Sequence, residues 1–339
     1  NFGNTFSVNI SRQGDYLLQT WLRVCLPKVQ LRSLSEMGGN PNGGIRWTRN
    51  LMHNLVKEVC ITFNDLMVAR FDSVHLDFWA SCTVPAEKQV GYSRMIGDFD
   101  DLIDLSSGSE ACLPPALTNL ATPNPADIDT QPEHTVLYLP LPFFYARDTG
   151  VALPTAALPY NDMTIDFEFR NWDELLIGEL AANNANSEYR RRVSLLELQG
   201  EPVLSGVEVW GNYALVSNDE RKRMACAPRD ILIEQAQWMM PKVYRPRITP
   251  SPRLDLRLSH AIKVLFFAVR NTTFAAERSW YAVGSPMMGS PALVPNKFSG
   301  QFQSIDPLAY STLVYENVNR LNRMDALYYS HLNPYYHAP

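Results

Sequence analysis

Residues that could carry chemistry are scattered along this chain rather than grouped. Its six histidines are His53, His75, His134, His260, His331 and His337. None stands in an HxH or HExxH spacing, which would place two imidazoles on one strand or helix for a metal ion. The GxSxG, GxxxxGK[ST] and GxGxxG turns, which present a nucleophilic serine or cradle a phosphate, are also absent. These patterns predict no catalytic, cofactor-binding or metal-binding residue and favour a protein that is not an enzyme.

An acidic run between positions 98 and 104 comes nearest to a cation site. Its carboxylates are Asp98, Asp100, Asp101 and Asp104. Hard cations such as Ca²⁺ prefer clustered carboxylate oxygens. The run lacks the glycine and the ligand spacing of a calcium loop, so a solvated acidic cluster is the favoured interpretation. His53, which stands beside Asn54, is interpreted as a hydrogen-bonded turn residue.

The charge balance argues against a nucleic-acid grip. The formal net charge is −5, whereas binding to phosphates needs a basic face that displaces counterions. The basic runs at 190–192 and 221–223 are short, and the second follows an acidic helix start, as a helix dipole favours. The most apolar run, 261–269, is shorter than the roughly 20 residues of a membrane span and contains Lys263. Neither direct nucleic-acid binding nor a membrane span is predicted.

Cysteine usage indicates a reducing compartment. The five cysteines are Cys25, Cys60, Cys82, Cys112 and Cys226. They form no CxxC pair, and Cys25 and Cys60 alternate with apolar neighbours, so these two are predicted to be buried free thiols. Free thiols fit a reducing environment better than the secretory pathway. Asn9 and Asn271 each begin a glycosylation sequon, and both are predicted to be unused.

Strand signals dominate the first 216 residues. Short segments that alternate apolar and polar side chains, or are continuously apolar between turn residues, indicate strands. The predicted strands are 6–10, 16–26, 59–63, 68–71, 135–139, 163–170, 193–198 and 207–216. Four prolines punctuate the segment 139–162, as expected at strand ends and edges. This set amounts to about the eight strands that one jelly roll needs.

Turn and helix signals lie between the predicted strands. Asn64 and Asp65 predict a tight hairpin turn. Asp72 or Ser73 can cap a short helix that Pro85 limits. The segment 98–133 has the composition of a long loop.

A short helical connector is predicted at 217–228. Ser217 and Glu220 have the spacing of a capping box, and Pro228 ends the helix. The connector separates a first jelly roll at 1–216 from a second at 229–339. In the second part, strands are predicted at 231–238, 254–258, 261–269 and 311–316. About four strands would leave a second core open, so the second jelly roll is expected to be incomplete at its C-terminus.

Several blocks of this sequence, in collinear order, closely resemble the major capsid proteins of iridoviruses. The longest is LPLPFFYARDTGVALPTAALPYND at 139–162. The others are SRQGDYLL at 11–18, RWTRN at 46–50, MHN at 52–54, FNDL at 63–66, LDFW at 76–79, GYSRMIG at 91–97, NDERKRM at 218–224, SHAIK at 259–263, LVYEN at 313–317 and YYS at 328–330. Each block alone is a weak signal, and together they cover nearly the whole chain.

The resemblance implies an all-β double jelly roll, in which two eight-stranded sandwiches lie side by side with short helices in loops and the connector. It implies a homotrimeric capsomer with a pseudo-hexagonal outline that tiles an icosahedral virion shell. The implied partners are neighbouring capsomers and minor capsid and penton proteins, while the inner viral membrane is reached only indirectly or through an N-terminal segment. Particles would be assembled in the host cytoplasm. The family's chains extend further at both ends, and its variable loops correspond to 32–46, 98–133, 173–190 and 273–307.

Independently of the resemblance, aromatic residues outside the predicted strands indicate surfaces through which the protein could assemble. Trp280, Tyr281, Tyr335 and Tyr336 are candidate interface anchors, although they could equally cover the domain's own core. The alternative function is a carbohydrate-binding jelly roll, such as a spike or receptor-binding protein, in which loop aromatics stack on sugars.

Overall fold

The computed structural model describes residues 1–27, 29, 43–98, 135–158, 160–180, 190–198, 200–226, 230–244, 252–269 and 308–337. The strands in this part of the chain are β1 (Thr5–Asn9), β2 (Tyr16–Leu26), β3 (Gly43–Trp47), β4 (Val56–Phe63), β5 (Leu66–Asp72), β6 (Thr135–Pro140), β7 (Met163–Phe169), β8 (Leu176–Leu180), β9 (Arg190–Arg192), β10 (Ser205–Ala214), β11 (Ser311–Tyr315) and β12 (Val318–Met324). The α-helices are α1 (Leu51–Leu55), α2 (Ser73–Thr83), α3 (Ala86–Ile96), α4 (Trp172–Leu175), α5 (Asn218–Cys226) and α6 (Asn333–His337). None of the described helices combines the length and apolar character that crossing a bilayer requires.

Three antiparallel sheets and one hairpin organise these strands. The β4 sheet has the order β1-β7-β4-β5, the β2 sheet has the order β10-β2-β6, and the β8 sheet has the order β3-β8-β9. The hairpin pairs β11 with β12. The pairs β4–β5 and β11–β12 are local hairpins, whereas β1–β7, β4–β7, β10–β2, β2–β6 and β3–β8 join strands that are far apart in sequence. Most of the sheet structure therefore depends on long-range pairing.

One hydrophobic core lies between the inner faces of the β4 and β2 sheets. Ile165 and Phe167 of β7 and Leu22 and Val24 of β2 belong to the same buried cluster. Their alternation with polar neighbours puts every second side chain inward. Full burial of each such side chain stabilises the fold by about 1.5–3 kcal/mol.

The predicted turn and helix signals around position 65 are confirmed. Asn64 and Asp65 have positive φ of 48° and 65°, which is the geometry of a two-residue hairpin turn that matches strand twist. The Asp72 carboxylate accepts a hydrogen bond of 2.8 Å from the backbone N–H of His75, so it caps α2. The following helix, α3, was not predicted. It begins after Pro85 and ends at Gly97, whose φ of 82° suits a glycine.

A close contact between the turn before β2 and the strand β10 restricts which residue fits at position 14. A Cβ atom built on Gly14 would lie 2.4 Å from the Cβ of Tyr213. The Tyr213 hydroxyl donates a hydrogen bond of 2.6 Å to the carbonyl oxygen of Ser11, so the ring is held over the turn before β2.

Three sequence-based assignments in the first half are wrong. The predicted strand 193–198 holds instead a 3₁₀ turn at Leu195–Glu197, where the Ser194 hydroxyl accepts from the N–H of Leu196 at 3.4 Å. Such a local bond competes with ladder formation. The predicted loop 32–46 contains most of β3, and the predicted loop 173–190 contains β8, which pairs with β3. This pairing joins distant segments, and local composition does not reveal it.

The second half is less regular than predicted. Segments 231–238, 254–258 and 261–269 were predicted as strands, but no helix or strand is assigned in the described residues 230–244 and 252–269. Alternation marks a segment that could be a strand, whereas a strand forms only where its backbone groups pair with a neighbour. Here side chains make the connection, because Gln237 bonds Ser259 at 2.8 to 3.0 Å and Lys263 bonds Glu234 at 2.6 Å. The order of these contacts places the two segments antiparallel.

The remaining elements of the second half agree better with the patterns. β11 lies within the predicted strand 311–316, and β12, which was missed, follows a turn formed by Glu316 and Asn317 with positive φ. Helix α5 occupies the predicted connector, with the N–H of Glu220 donating to the Ser217 hydroxyl at 3.4 Å.

Candidate assembly surfaces

His53 lies in a buried polar cluster that joins three helices. Its side chain is 1% exposed on α1, with Nδ1 2.6 Å from a carboxylate oxygen of Asp77 and Nε2 2.7 Å from the hydroxyl of Tyr92. Both ring nitrogens of His53 therefore have a hydrogen-bond partner. The prediction of a hydrogen-bonded histidine is confirmed, but the residue lies in a helix rather than a turn. Its role is to hold α1, α2 and α3 together.

Of the acidic run at 98–104, only Asp98 lies in the described part of the chain. Asp98 accepts two hydrogen bonds from Arg49, at 2.6 and 3.1 Å, so its charge is neutralised within the fold. Asp100, Asp101 and Asp104 lie outside the described residues. Among the residues that the structure does describe, no group of three His, Cys, Asp or Glu side chains could hold a metal ion.

The outer face of the β4 sheet is polar, and its carboxylates outnumber its cations. Strand register places its outward side chains in rows across β7, β4 and β5. Thr62 bonds Thr164, Lys57 pairs with Glu168, Cys60 contacts Asp166 and Arg70 pairs with Glu58. Burial, together with the charges of Asp166 and Glu58, raises the pKa of the Cys60 thiol to about 11. This face therefore carries hydrogen-bonded polar ladders and a protonated, unreactive thiol.

The outer face of the β2 sheet is aromatic at its centre. Register places Trp210 of β10 opposite Trp21 of β2, and Trp21 opposite Pro140 of β6. The adjacent row contains Glu208, Arg23 and Tyr138, and the row on the other side contains Asn212 and Gln19. We call these eight residues the aromatic face. Trp210 is 53% exposed, so a large ring is presented to the outside of the sandwich.

Polar groups on the aromatic face bond to one another. Glu208 accepts from Arg23 at 3.0 Å and from the indole N–H of Trp210 at 2.8 Å. The amide of Asn212 donates to Gln19 at 3.4 Å. The Trp210 hydrogen bond and the Arg23 charge lower the pKa of Glu208, so its carboxylate stays ionised and paired. The face thus presents ring surface together with charges that already cancel.

A second contact region joins the first half of the chain to the segments at 230–244 and 252–269. Phe78 of α2 stacks on Phe266 with ring centroids 5.7 Å apart, and Glu234 pairs with Arg147 at 2.6 Å. Gln235 donates to the carbonyl oxygen of Val68 at 2.8 Å. These contacts give the segments a defined position beside β5 and α2 even though they form no ladder.

Asp15 attaches helix α5 to the start of β2. Its carboxylate is buried, and it accepts hydrogen bonds of 2.8 Å from the Arg221 side chain and from the backbone N–H of Val216. The hydrogen bond from Arg221, followed by that from Val216, lowers the pKa of this carboxyl group. The charge pair therefore orients the helix against the first sandwich.

Two of the four predicted aromatic anchors lie in the described part of the chain. Tyr335 and Tyr336 are strongly exposed in α6, whereas Trp280 and Tyr281 lie outside the described residues. Sequence reasoning missed Trp21 and Trp210, although each occupies the polar register of its alternating strand, and that signal could have identified them as outward.

The described cysteines are free, and they differ in burial. Cys25 is buried, as predicted, whereas the prediction that Cys60 is buried is wrong, because Cys60 lies on the outward side of β4 and is only partly buried. Cys82 and Cys226 are exposed. Cys112 lies outside the described residues, as does the sequon at Asn271. Asn9 is exposed at the end of β1, and the absence of glycosylation there stays a prediction.

Comparison with protein families gives two matches that together span most of the chain. The family described as the major capsid protein N-terminus matches residues 1–216. The family described as the large eukaryotic DNA virus major capsid protein matches residues 220–339.

Individual relatives agree with these matches. The chain is 50% identical over 340 residues to the major capsid protein of Invertebrate iridescent virus 6, covering 100% of this chain and 68% of that protein. It is 42% identical over 343 residues to the major capsid protein of Lymphocystis disease virus 1, covering 99% of this chain and 67% of that protein.

A solved structure shares the fold. The quasi-atomic model of the PBCV-1 virus capsid matches with a TM-score of 0.58 at 18% identity, covering 98% of this chain and 70% of that one. This likeness confirms the predicted double jelly roll at the level of the fold.

Proposed function

This chain belongs to the major capsid protein family of large eukaryotic DNA viruses, and from that membership we propose that it forms homotrimers that tile an icosahedral shell. It is a structural component of the virion rather than an enzyme. The carrying observation is the 50% identity to an iridovirus major capsid protein along 100% of this chain. A relationship of that extent covers the core, the loops and the outer faces together.

The architecture is suited to self-assembly. A sandwich whose sheets share one core leaves both outer faces free, and contacts between unlike faces of successive copies close into a ring when the rotation is a simple fraction of a turn. Three copies of a two-sandwich chain give the pseudo-hexagonal outline that we propose for the capsomer.

We propose the domain division 1–216, 217–228 and 229–339 for the first jelly roll, the helical connector and the second jelly roll. The two family matches, which end at 216 and begin at 220, support it. The Asp15–Arg221 pair supports it as well, because it fixes the connector to the first sandwich. Contacts with minor capsid and penton proteins and assembly in the host cytoplasm are further parts of the proposal, and the free thiols agree with a reducing compartment.

The oligomeric state of the full-length viral protein tests this function. Native mass spectrometry of protein released from virions should give a mass three times that of the single chain, and micrographs of the particle should show pseudo-hexagonal units. A protein that is monomeric at micromolar concentration, or that is a minor component of purified virions, would contradict the proposal.

A further inference from the structure

His75 of α2 lies in the contact region that joins the first half of the chain to the second. Its ring stacks on Phe71 with ring centroids 5.8 Å apart, and it lies 6.1 Å from the ring of Trp238 and 6.2 Å from that of Phe266. Phe71 belongs to the buried core, whereas Trp238 and Phe266 come from two segments of the second half. One titratable ring therefore lies between the core and these segments. We call His75, Phe71, Trp238 and Phe266 the aromatic joint.

Side chains, rather than a backbone ladder, hold the second-half segments at this joint. In the segment 261–269, Phe266 is partly shielded and stacks on Phe78, while its neighbours Leu265 and Phe267 are exposed. No strand is assigned to the described residues of either segment. A contact of this kind can open without unfolding the sandwich, because local opening costs only a part of the global stability.

The surroundings of His75 suit a neutral ring better than a charged one. In the described part of the chain its imidazole contacts aromatic rings and makes no hydrogen bond. His53 differs, because Asp77 and Tyr92 bond both of its ring nitrogens. A protonated imidazole has two N–H donors, which lose their water when aromatic rings enclose them. Opening the joint returns these donors to water, so protonation of His75 favours the open joint.

Charged groups beside the joint come from each of the elements that form it. Asp72 of β5 accepts a hydrogen bond of 2.8 Å from the backbone N–H of His75. Arg147 pairs with Glu234 at 2.6 Å, and Glu234 also pairs with Lys263 at 2.6 Å. Burial, followed by the charge of Arg147, lowers the pKa of His75 below its ordinary value of 6.5. The two carboxylates are thus bound to other groups, while Arg147 opposes a positive charge on the ring.

We propose that the aromatic joint is an acid-sensitive connection, which holds the segments 230–244 and 252–269 against the first sandwich while His75 is neutral and releases them when His75 takes up a proton. Because the closed joint favours the neutral ring, it keeps its full stability above pH 6.5 and loses stability as the pH falls below that value. A single proton changes the ratio of open to closed joint by at most about tenfold per pH unit. The joint lies within one chain, so this inference goes beyond the proposed trimer and does not depend on it.

Hydroxyl-radical footprinting of the full-length viral protein at pH 7.5 and pH 5.0 tests the proposal. Peptide mass spectrometry measures the oxidation of Trp238 and Phe266 relative to Tyr160, a strongly exposed ring outside the joint. In the wild type this ratio should rise at least about threefold at pH 5.0, because protonation of His75 populates the open joint. His75→Phe keeps an aromatic ring that cannot be protonated, so its ratio should be the same at both pH values.

His260→Asn is the matched control. It removes an exposed imidazole from the same segment as Phe266, and asparagine tolerates the positive φ of 66° at this position. Its oxidation ratio should rise in acid as in the wild type. His75→Leu, which is also uncharged at both pH values, replaces the phenylalanine variant if that variant does not fold.

The wild-type measurement alone can overturn the proposal, because it does not depend on a variant that folds. Equal oxidation of Trp238 and Phe266 at the two pH values would do so, and so would folded variants of His75 that respond to acid as the wild type does. Greater protection of the two rings at pH 5.0 would overturn it in favour of an attractive cation–π contact between the protonated imidazole and its aromatic neighbours.

Discussion

The outer face of the β4 sheet and the aromatic face of the β2 sheet cover the same core from opposite sides, yet they carry different chemistry. The first is built from threonines, carboxylates and their cations in hydrogen-bonded rows. The second centres on two tryptophans and a proline. Both sheets bury alternating apolar side chains inward, so the requirements of folding do not distinguish them. The difference resides in the outward positions, which the core leaves free to specify contacts.

Replacing an inward residue should have the largest effect, because both faces depend on the shared core. Phe167→Ala removes a ring that is buried among Phe6 and Phe169, and we expect a loss of about 3–5 kcal/mol in the free energy of unfolding. Urea denaturation of the folded full-length protein measures it. The neighbouring outward substitution, Glu168→Gln, is the control and should change stability by less than about 1 kcal/mol. Equal losses for the two variants would contradict the assignment of inner and outer faces.

The reactivity of the Cys60 thiol tests the description of the outer face of the β4 sheet. At pH 8 a thiol with the pKa of about 11 assigned to Cys60 has only a small thiolate fraction, so we expect iodoacetamide to modify it about 100 times more slowly than an ordinary exposed thiol. Exposed Cys226 is the internal reference, and mass spectrometry of peptides separates the two. The rate at Cys60 should rise with pH toward 11. Similar rates at pH 8 would contradict the raised pKa that burial and the neighbouring carboxylates give this thiol.

The pH dependence of stability should report on Asp15, the buried carboxylate at the end of the β2 sheet. Because its pKa is lowered in the folded state, the ion pair with Arg221 stabilises the protein above the unfolded value of 3.8 and this stabilisation is lost as pH falls below it. Asp15→Asn should therefore lower the midpoint of thermal unfolding at pH 7. The difference from wild type should shrink below pH 3.8. A constant difference across that range would indicate that the charge of Asp15 contributes nothing.

Much of the first sandwich was predictable because its information is local. The alternation in β2, β7 and β10 identifies each strand and its buried side, and the capping residues identify α2 and α5. The predictions that were wrong concern features that depend on pairing between segments far apart in sequence. The strands β3 and β8 pair with each other although neither segment has a local pattern that indicates the other. Conversely, the segment 231–238 has the alternating pattern of a strand but forms no backbone hydrogen-bond ladder with a neighbour.

The aromatic face was missed for a related reason. The outward position of Trp21 is readable from its strand alone, and so is that of Trp210. Their contiguity becomes visible only when register aligns the two strands across most of the first half of the chain. A surface of this kind is formed by residues from several distant segments, so no single segment of the sequence reveals it.

Gly14 and Tyr213 lie near the two ends of the first jelly roll in sequence, but they are in direct contact in the structure. A Cβ atom at position 14 would lie 2.4 Å from the Cβ of Tyr213, which every residue except glycine retains, so alanine at position 14 requires the backbone at one of the two positions to shift. The place where β2 begins and β10 ends is therefore held at a fixed separation, and a bulkier residue at position 14 would push the two strands apart.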